Sequence, residues 1–415
     1  MRHSDDDAPP GCRQHCHIVF DGNATALDHP SDPAQLRPLR VCVAGGGIAG
    51  LEALMALRAL AGQRVELTLI APEDEFVYRP LGVEAPFAVG RSRRIRLDQL
   101  ARTAGADFVA TTVASVNPDQ KLVHTSRRDT LEYDALVLAV GARPVPAVGG
   151  ATTWDDRSDQ EMLGGLLQDF EHGYSRRLAV MIPPGPVWPL RAYELALFIT
   201  LEARGMSIDI ETTIVTPTPS PLTLLGSAEL EQLVSMELEL AGITVASCTG
   251  AEVQQGHPNA VILQPSGRRL EVDRILALPT LHGSAIAGIP TRADGFVDVD
   301  PHCRVRGLDD VWAAGDGTAF PLKAGGFAAE QADVAAEDIA AAAGAAVQPR
   351  PFAPAGRGDL AGLPAGRFLE AWLAGNDDPA LTTHLPAAGM PLATYLHHDL
   401  QASRRDPLIT NKETR

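Results

Sequence analysis

The stretch Arg40–Leu54, RVCVAGGGIAGLEAL, constrains the fold more than any other part of this 415-residue chain. An apolar run, VCVA, leads into Gly45, Gly47 and Gly50 at G-x-G-x-x-G spacing, and the helical pattern LEALMALRAL follows. That order predicts a strand over 40–44, a tight turn, a helix over 48–61 and a strand over 65–71, a parallel βαβ unit. Gly45 permits the turn, Gly47 lets a pyrophosphate approach the backbone, and Gly50 lets helix and strand pack closely. Phosphates would rest on the helix N-terminus, where free N–H groups and the dipole favour anions. The spacing in this setting predicts a dinucleotide site. An acid for the ribose is expected about 20 residues on. Ala71 stands nearest that position, so Glu73, two residues later, is the substitute candidate.

The same strand–turn–helix order returns at Leu178–Ala196, LAVMIPPGPVWPLRAYELA. Here the glycine positions map to Pro183, Pro184, Gly185, Pro186, Val187 and Trp188, and only the middle glycine survives. Proline removes N–H donors that would hold a pyrophosphate. Trp188 puts a large ring where close packing or a phosphate is expected. Glu194 follows Trp188 by six residues, and four extra residues, PLRA, account for its delay. The next strand ends in Thr216-Pro217 with no ribose acid. These departures argue against ordinary NAD(P)H binding at this turn. An unusual mode through the backbone stays open.

The length suggests two or three domains of roughly 100–200 residues. Residues 1–37 lack periodicity and read as a disordered tail. CRQHCH at 12–17 gathers two Cys and two His, but no second ligand pair follows at zinc-like spacing, and no metal site is expected. Residues 107–116 and 121–125 read as strands of an antiparallel excursion, and 133–141 as a buried strand ending at Gly141. The stretch 142–160 reads as a linker, 207–217 as a strand, 226–242 as an amphipathic helix and 325–343 as an Ala-rich helix. The resulting fold class is α/β. Two Rossmann-like three-layer domains are expected, one from 38–150 with 286–343, the other from 151–285 inserted into it. A small C-terminal region, 344–415, follows.

A hydrophobic content of 45% suffices for such cores, and the net charge of −17 argues against a nucleic-acid partner. Five scattered Cys make no disulfide framework and suggest a reducing compartment. No run reaches about 18 apolar residues, so no membrane-spanning helix is expected. The acidic, polar start is unlike a signal peptide. A cytoplasmic location follows. Residues 390–408, with Arg404-Arg405, leave peripheral contact with the inner membrane face open.

Four stretches together give the chain a family resemblance: the first Gly turn, YDALVLAVGARP at 133–144, the second turn, and DDVWAAGDGTAF at 309–320. They resemble the FAD-dependent pyridine nucleotide–disulfide oxidoreductase superfamily over about residues 38–343. The resemblance implies FAD, held non-covalently, in the first site. It puts Gly141 against the cofactor, and Gly315 and Asp316 at its ribityl–phosphate region. Within the superfamily, PEDEFVYRPL at 72–81 and PLKAGGFAAEQADVAAEDIA at 321–340 are most similar to sulfide:quinone reductases, flavocytochrome c sulfide dehydrogenases and type II NADH dehydrogenases. By that pattern Lys323 and the backbone at 324–326 face the pyrimidine edge of the flavin, where a cation stabilises reduced flavin. Glu330, on the same helix, is the candidate proton relay. Sulfide:quinone reductases also show an elongated second turn ahead of a Tyr–Glu pair, which Tyr193-Glu194 resembles. Their redox cysteines have no counterpart here, since Cys42, Cys248 and Cys303 form no suitable pair.

The expected function is therefore an FAD-dependent oxidoreductase with a small-molecule donor other than NAD(P)H and a quinone or other small acceptor. Two alternatives stand beside it: an NAD(P)H-driven enzyme of the type II NADH dehydrogenase kind, and a catalytically silent flavin-binding relative.

Overall fold

The computed structural model describes residues 37–78, 93–154, 159–220, 228–254, 260–354 and 393–396. The tail residues 1–36, with the CRQHCH segment, and most of 344–415 lie outside them. Two five-stranded parallel sheets organise the chain. The first runs, edge to edge, Val311–Ala313, Ala135–Leu138, Leu39–Ala44, Val65–Ala71 and Ala106–Ala110. The second runs Thr152–Thr153, Arg274–Ala277, Arg177–Met181, Glu211–Val215 and Thr244–Ala246. Every strand of the second lies in sequence between strands of the first. The chain thus leaves the first sheet, builds the second and returns.

Helices cover these sheets because parallel strands need crossovers and buried faces. Ile48–Ala61 and Gly325–Ala342 pack along each other on the first sheet, and Leu51, Leu54, Leu57, Ala332, Ala335 and Ile339 are buried between them and the strands. Leu190–Gly205 and Ala228–Leu240 cover the second sheet with Tyr193, Leu197, Val234 and Leu238. Small antiparallel sheets decorate each half. Val113–Asn117, Leu122–Thr125 and Thr130–Glu132 form one, and Gly250–Val253, Ala260–Gln264 and Arg269–Glu271 another.

The two halves share a clamp at the entry to their central strands. In the first, Arg40 N–H donates to Asp134 Oδ2 at 2.9 Å, Asp134 N–H donates to the Arg40 carbonyl at 2.8 Å, and the guanidinium reaches Asp134 Oδ1 at 3.1 Å. In the second, Arg177 and Asp273 make the same three bonds at 2.9, 2.8 and 2.8 Å. Each clamp sets the register between the central strand and its neighbour, Ala135–Leu138 or Arg274–Ala277.

Two sequence expectations need correction. Residues 106–110 are not part of the antiparallel excursion. They form the fifth parallel strand, paired with Val65–Ala71, because the short helix Leu97–Thr103 returns the chain in the parallel sense. The excursion starts at Val113. The stretch read as a linker also holds structure. Ala142–Val145 pairs antiparallel with Thr280–Gly283 where the chain passes between the sheets, and Asp159–Glu171 is helical. A pair of short crossing strands has neither the length nor the periodicity that a pattern search detects.

Candidate functional site

The first turn is built so that only glycine fits. Gly45 has φ +126°, and a Cβ there would overlap the Ala139 carbonyl. A Cβ on Gly50 would overlap the Gly45 carbonyl, so the helix could not start so close to the strand. Gly47 differs: nothing lies within 4 Å of where its Cβ would be, and it lines a cavity of about 400 Å³. Glycine is needed there for approach from the cavity side. The helix Ile48–Ala61 has no side-chain cap and no acid in its first turn, so its leading N–H groups are left for a ligand.

The same cavity receives a second helix N-terminus. Gly325–Ala342 also starts without a side-chain cap or acid in its first turn, and Ala324, Gly325 and Gly326 line the cavity. Gly141, at φ +68°, and Gly315, at φ +82°, complete the floor with Ala314 and Asp316. Two uncapped N-termini and a row of glycines fit a long, doubly anionic cofactor whose phosphates meet backbone N–H groups.

Lys323 lines this cavity and is buried. Its Nζ donates to the carbonyls of Asp316 at 3.1 Å and Thr318 at 2.5 Å, and it stands 4.1 Å from the centre of the Phe296 ring. Burial pulls its pKa down to about 8 despite Asp316 and Asp294 nearby. Gln331 is also buried, and its Oε1 accepts from Gly315 N–H at 2.8 Å and lies 3.3 Å from Thr318 Oγ. A glutamine on an Ala-rich helix reads as solubilising. Only the loop opposite it reveals its task.

The remaining expected residues fall elsewhere. Glu73 is exposed beyond the second strand and does not line the cavity, and Glu330 is buried on the last helix without lining it. Cys42 and Cys303 are buried, and desolvation pushes their thiols up to about 11 and about 12. Neither is a ready thiolate. Cys248 is exposed and unbridged. Among the described residues no group of His, Cys, Asp and Glu could hold a metal ion, and no helix is long and apolar enough to cross a membrane.

The second turn meets the same cavity from above. Eight residues, Ile182 to Pro189, separate strand from helix, against three, Gly45 to Gly47, in the first half. Val187 makes a parallel bridge with Leu322, and the Trp188 ring meets Phe327 edge-on at 6.1 Å between centroids. Val187, Trp188, Arg191 and Glu194 therefore line the first cavity, joined by Trp154 and Leu278 from the second sheet.

An α/β chain with these paired sheets and this glycine-floored cavity has the fold of FAD-dependent oxidoreductases. Residues 39–338 match the family model of the pyridine nucleotide-disulphide oxidoreductases, and the chain belongs to that family, with FAD as its cofactor. It is 27% identical over 347 residues to alternative NAD(P)H-ubiquinone oxidoreductase C1 of Arabidopsis thaliana, covering 72% of this chain and 64% of that protein. It thus spans less than two thirds of that relative. An NADH dehydrogenase-like protein of Mycobacterium tuberculosis is 28% identical over 296 residues, covering 67% of this chain and 72% of that one. Among solved structures, the sulfide:quinone oxidoreductase of Aquifex aeolicus superposes with a TM-score of 0.64 at 20% identity, covering 72% of this chain and 76% of the other. That likeness speaks for the fold.

Proposed function

We propose that this chain passes electrons through FAD to a quinone or other small acceptor, and that its donor is not NAD(P)H. Residues 38–150 and 286–343 would form the flavin domain, and 151–285 an inserted domain that kept its fold while its turn became a wall. The observation that carries the reading is the second turn itself. Pro183, Pro184 and Pro186 lack N–H donors, and Val187 and Trp188 are joined to Leu322 and Phe327 of the flavin half.

When bound, FAD supplies the ring that takes and gives electrons. The chain supplies its setting. Gly47, Ile48 and Ala49 would offer backbone to the phosphates, Gly141 would lie against the cofactor, Asp316 would meet its ribityl–phosphate region, and the backbone at Ala324–Gly326 would bring a positive helix end toward developing negative charge. Trp154, Trp188 and Leu278 make an apolar wall that favours a flat, weakly polar acceptor over a hydrated one. Glu330, buried on the same helix but off the cavity lining, is the candidate proton relay. Peripheral contact with a membrane would suit a lipid-soluble acceptor, although within 390–408 Ala393 and Leu396 are buried in the core of the flavin half.

The names of the relatives favour a second reading, an NAD(P)H-driven enzyme, in which backbone beyond the prolines holds the nicotinamide dinucleotide. The acceptor half of the proposal is tested by reducing the bound flavin chemically without oxygen and mixing it with a short-chain quinone. Reoxidation within seconds supports the reading. Reoxidation no faster than a quinone-free control removes quinones from it.

A further inference from the structure

We propose that Lys323 and Gln331 are positioning residues that hold the Gly315–Thr318 turn, and with it Asp316, in the shape that retains FAD. The inference rests on the flavin-site reading above. It assigns Lys323 a task different from the flavin-facing cation implied by the family resemblance, and it adds Gln331 to the site.

The turn needs holding from outside. Gly315 sits at φ +82°, and a Cβ there would press on Ala49 at 3.0 Å and Ala328 at 3.3 Å, so the loop runs in a tight gap between the two helices. Its internal bonds are few. Thr318 N–H and Thr318 Oγ both return to the Gly315 carbonyl at 3.0 Å, and Val297 N–H takes the Gly317 carbonyl at 3.0 Å. Those bonds do not reach the Gly315 N–H or the carbonyls of Asp316 and Thr318. Gln331 accepts from the first, and Lys323 donates to the other two. One acceptor and one cation, both buried and both from the segment 323–331, thus satisfy three backbone groups of the turn that its own bonds leave over. Buried backbone groups without such partners would be costly.

The ammonium is committed by this arrangement. Two of its protons go to carbonyls, and its Nζ stands 4.1 Å from the centre of the Phe296 ring. The charged groups around it are Asp316 on the turn and Asp294 and Arg292 on the loop before Phe296. Burial places its titration near pH 8; the neutral amine keeps two N–H donors but loses the charge that strengthens both bonds, so the staple weakens there while Gln331 does not titrate.

The test is the dissociation constant of FAD from the full-length protein, followed by flavin fluorescence between neutral and alkaline pH, with the flavin midpoint potential measured alongside. For wild type the constant should rise several-fold as pH passes through about 8. Lys323→Met and Gln331→Leu should each weaken FAD retention by roughly tenfold, the scale of a lost buried hydrogen bond to a polar or charged group. Lys323→Met should also flatten the pH profile, while the midpoint potential stays unchanged. The inference is overturned if Lys323→Met keeps the wild-type constant and profile but lowers the potential, the signature of a cation acting on the flavin itself. A wild-type constant that stays flat across pH 8 overturns it as well, and that measurement needs no variant to fold. Wild type that takes up no FAD at all would sink the flavin-site reading instead.

Discussion

The two halves of this molecule start alike and end differently. At the entry to the central strand, Arg40–Asp134 and Arg177–Asp273 make the same clamp bond for bond. At the exit, one half has a three-residue glycine turn opening on a cavity, and the other an eight-residue proline turn sealed against its neighbour. The clamp serves sheet register, which both halves need. The turn serves a ligand, and only the first half is shaped for one by its backbone. Scaffold and site are therefore separable along a single strand, about four to six residues apart.

The sharpest break between the turns should come from glycine replacement. Gly50→Val would drive side-chain carbons into the Gly45 carbonyl, and we expect complete loss of bound flavin with a large drop in melting temperature. Gly185→Ala meets nothing within 4 Å and carries only the strain of φ +108°, about 1–2 kcal/mol, so its flavin content should match wild type. Flavin absorbance per protein and a thermal melt decide both.

Next in size is the wall. Trp188→Ala removes the edge contact with Phe327 but none of the glycine floor. Flavin content should hold while the acceptor KM rises roughly tenfold, the scale of a lost aromatic contact. Steady-state kinetics with a short-chain quinone would show this, and a fall in kcat with unchanged KM would contradict the wall.

The halves should also respond to pH with opposite sign. Glu52 on the first helix and Asp333 on the last form an acid pair, the first buried and the second partly buried. Glu52 accepts from Tyr395 N–H at 2.8 Å and Leu396 N–H at 2.7 Å, and Thr394 Oγ donates to Asp333 at 3.2 Å. Desolvation, with Glu52 as neighbour, pushes Asp333 up to about 8. A carboxyl raised in the folded state contributes most below its unfolded pKa of about 4, and that contribution is lost as pH rises toward 8. Asp333→Asn should therefore narrow the difference in melting temperature between pH 6 and pH 9. In the second half, Arg177 and two backbone N–H groups pull Asp273 down to about 2. Its contribution is present above about pH 4 and is lost as pH falls toward 2. Asp273→Asn should cost about 1 kcal/mol at neutral pH, given its partly exposed partner, and little in strong acid.

Much of this contrast can be read from the residues. The helix over 48–61 and the strand over 65–71 have the bounds that the apolar pattern gives them, because strand, glycine and helix each carry their own period. The prolines at 183, 184 and 186 announce a changed turn without a structure. What they do not announce is where that turn goes. The Val187–Leu322 bridge joins residues far apart in sequence, and no local pattern encodes it. Glu52 was hidden for a related reason. An acid inside LEALMALRAL looks like the solvent edge of a helix, yet its partners come from residues 395 and 396. Lys323 was found by resemblance, but its acceptors are carbonyls of its own approach loop, which only the fold reveals.

The measurement that bears most directly on the two-turn account is anaerobic reduction of the bound flavin by NADH and by NADPH, followed in the flavin absorbance band. A wall in place of a phosphate cradle predicts a protein that stays yellow with both nicotinamides and is bleached by dithionite. Rapid bleaching by either nicotinamide at micromolar concentration would contradict it, and the second turn would then be a working nucleotide site in an unfamiliar form.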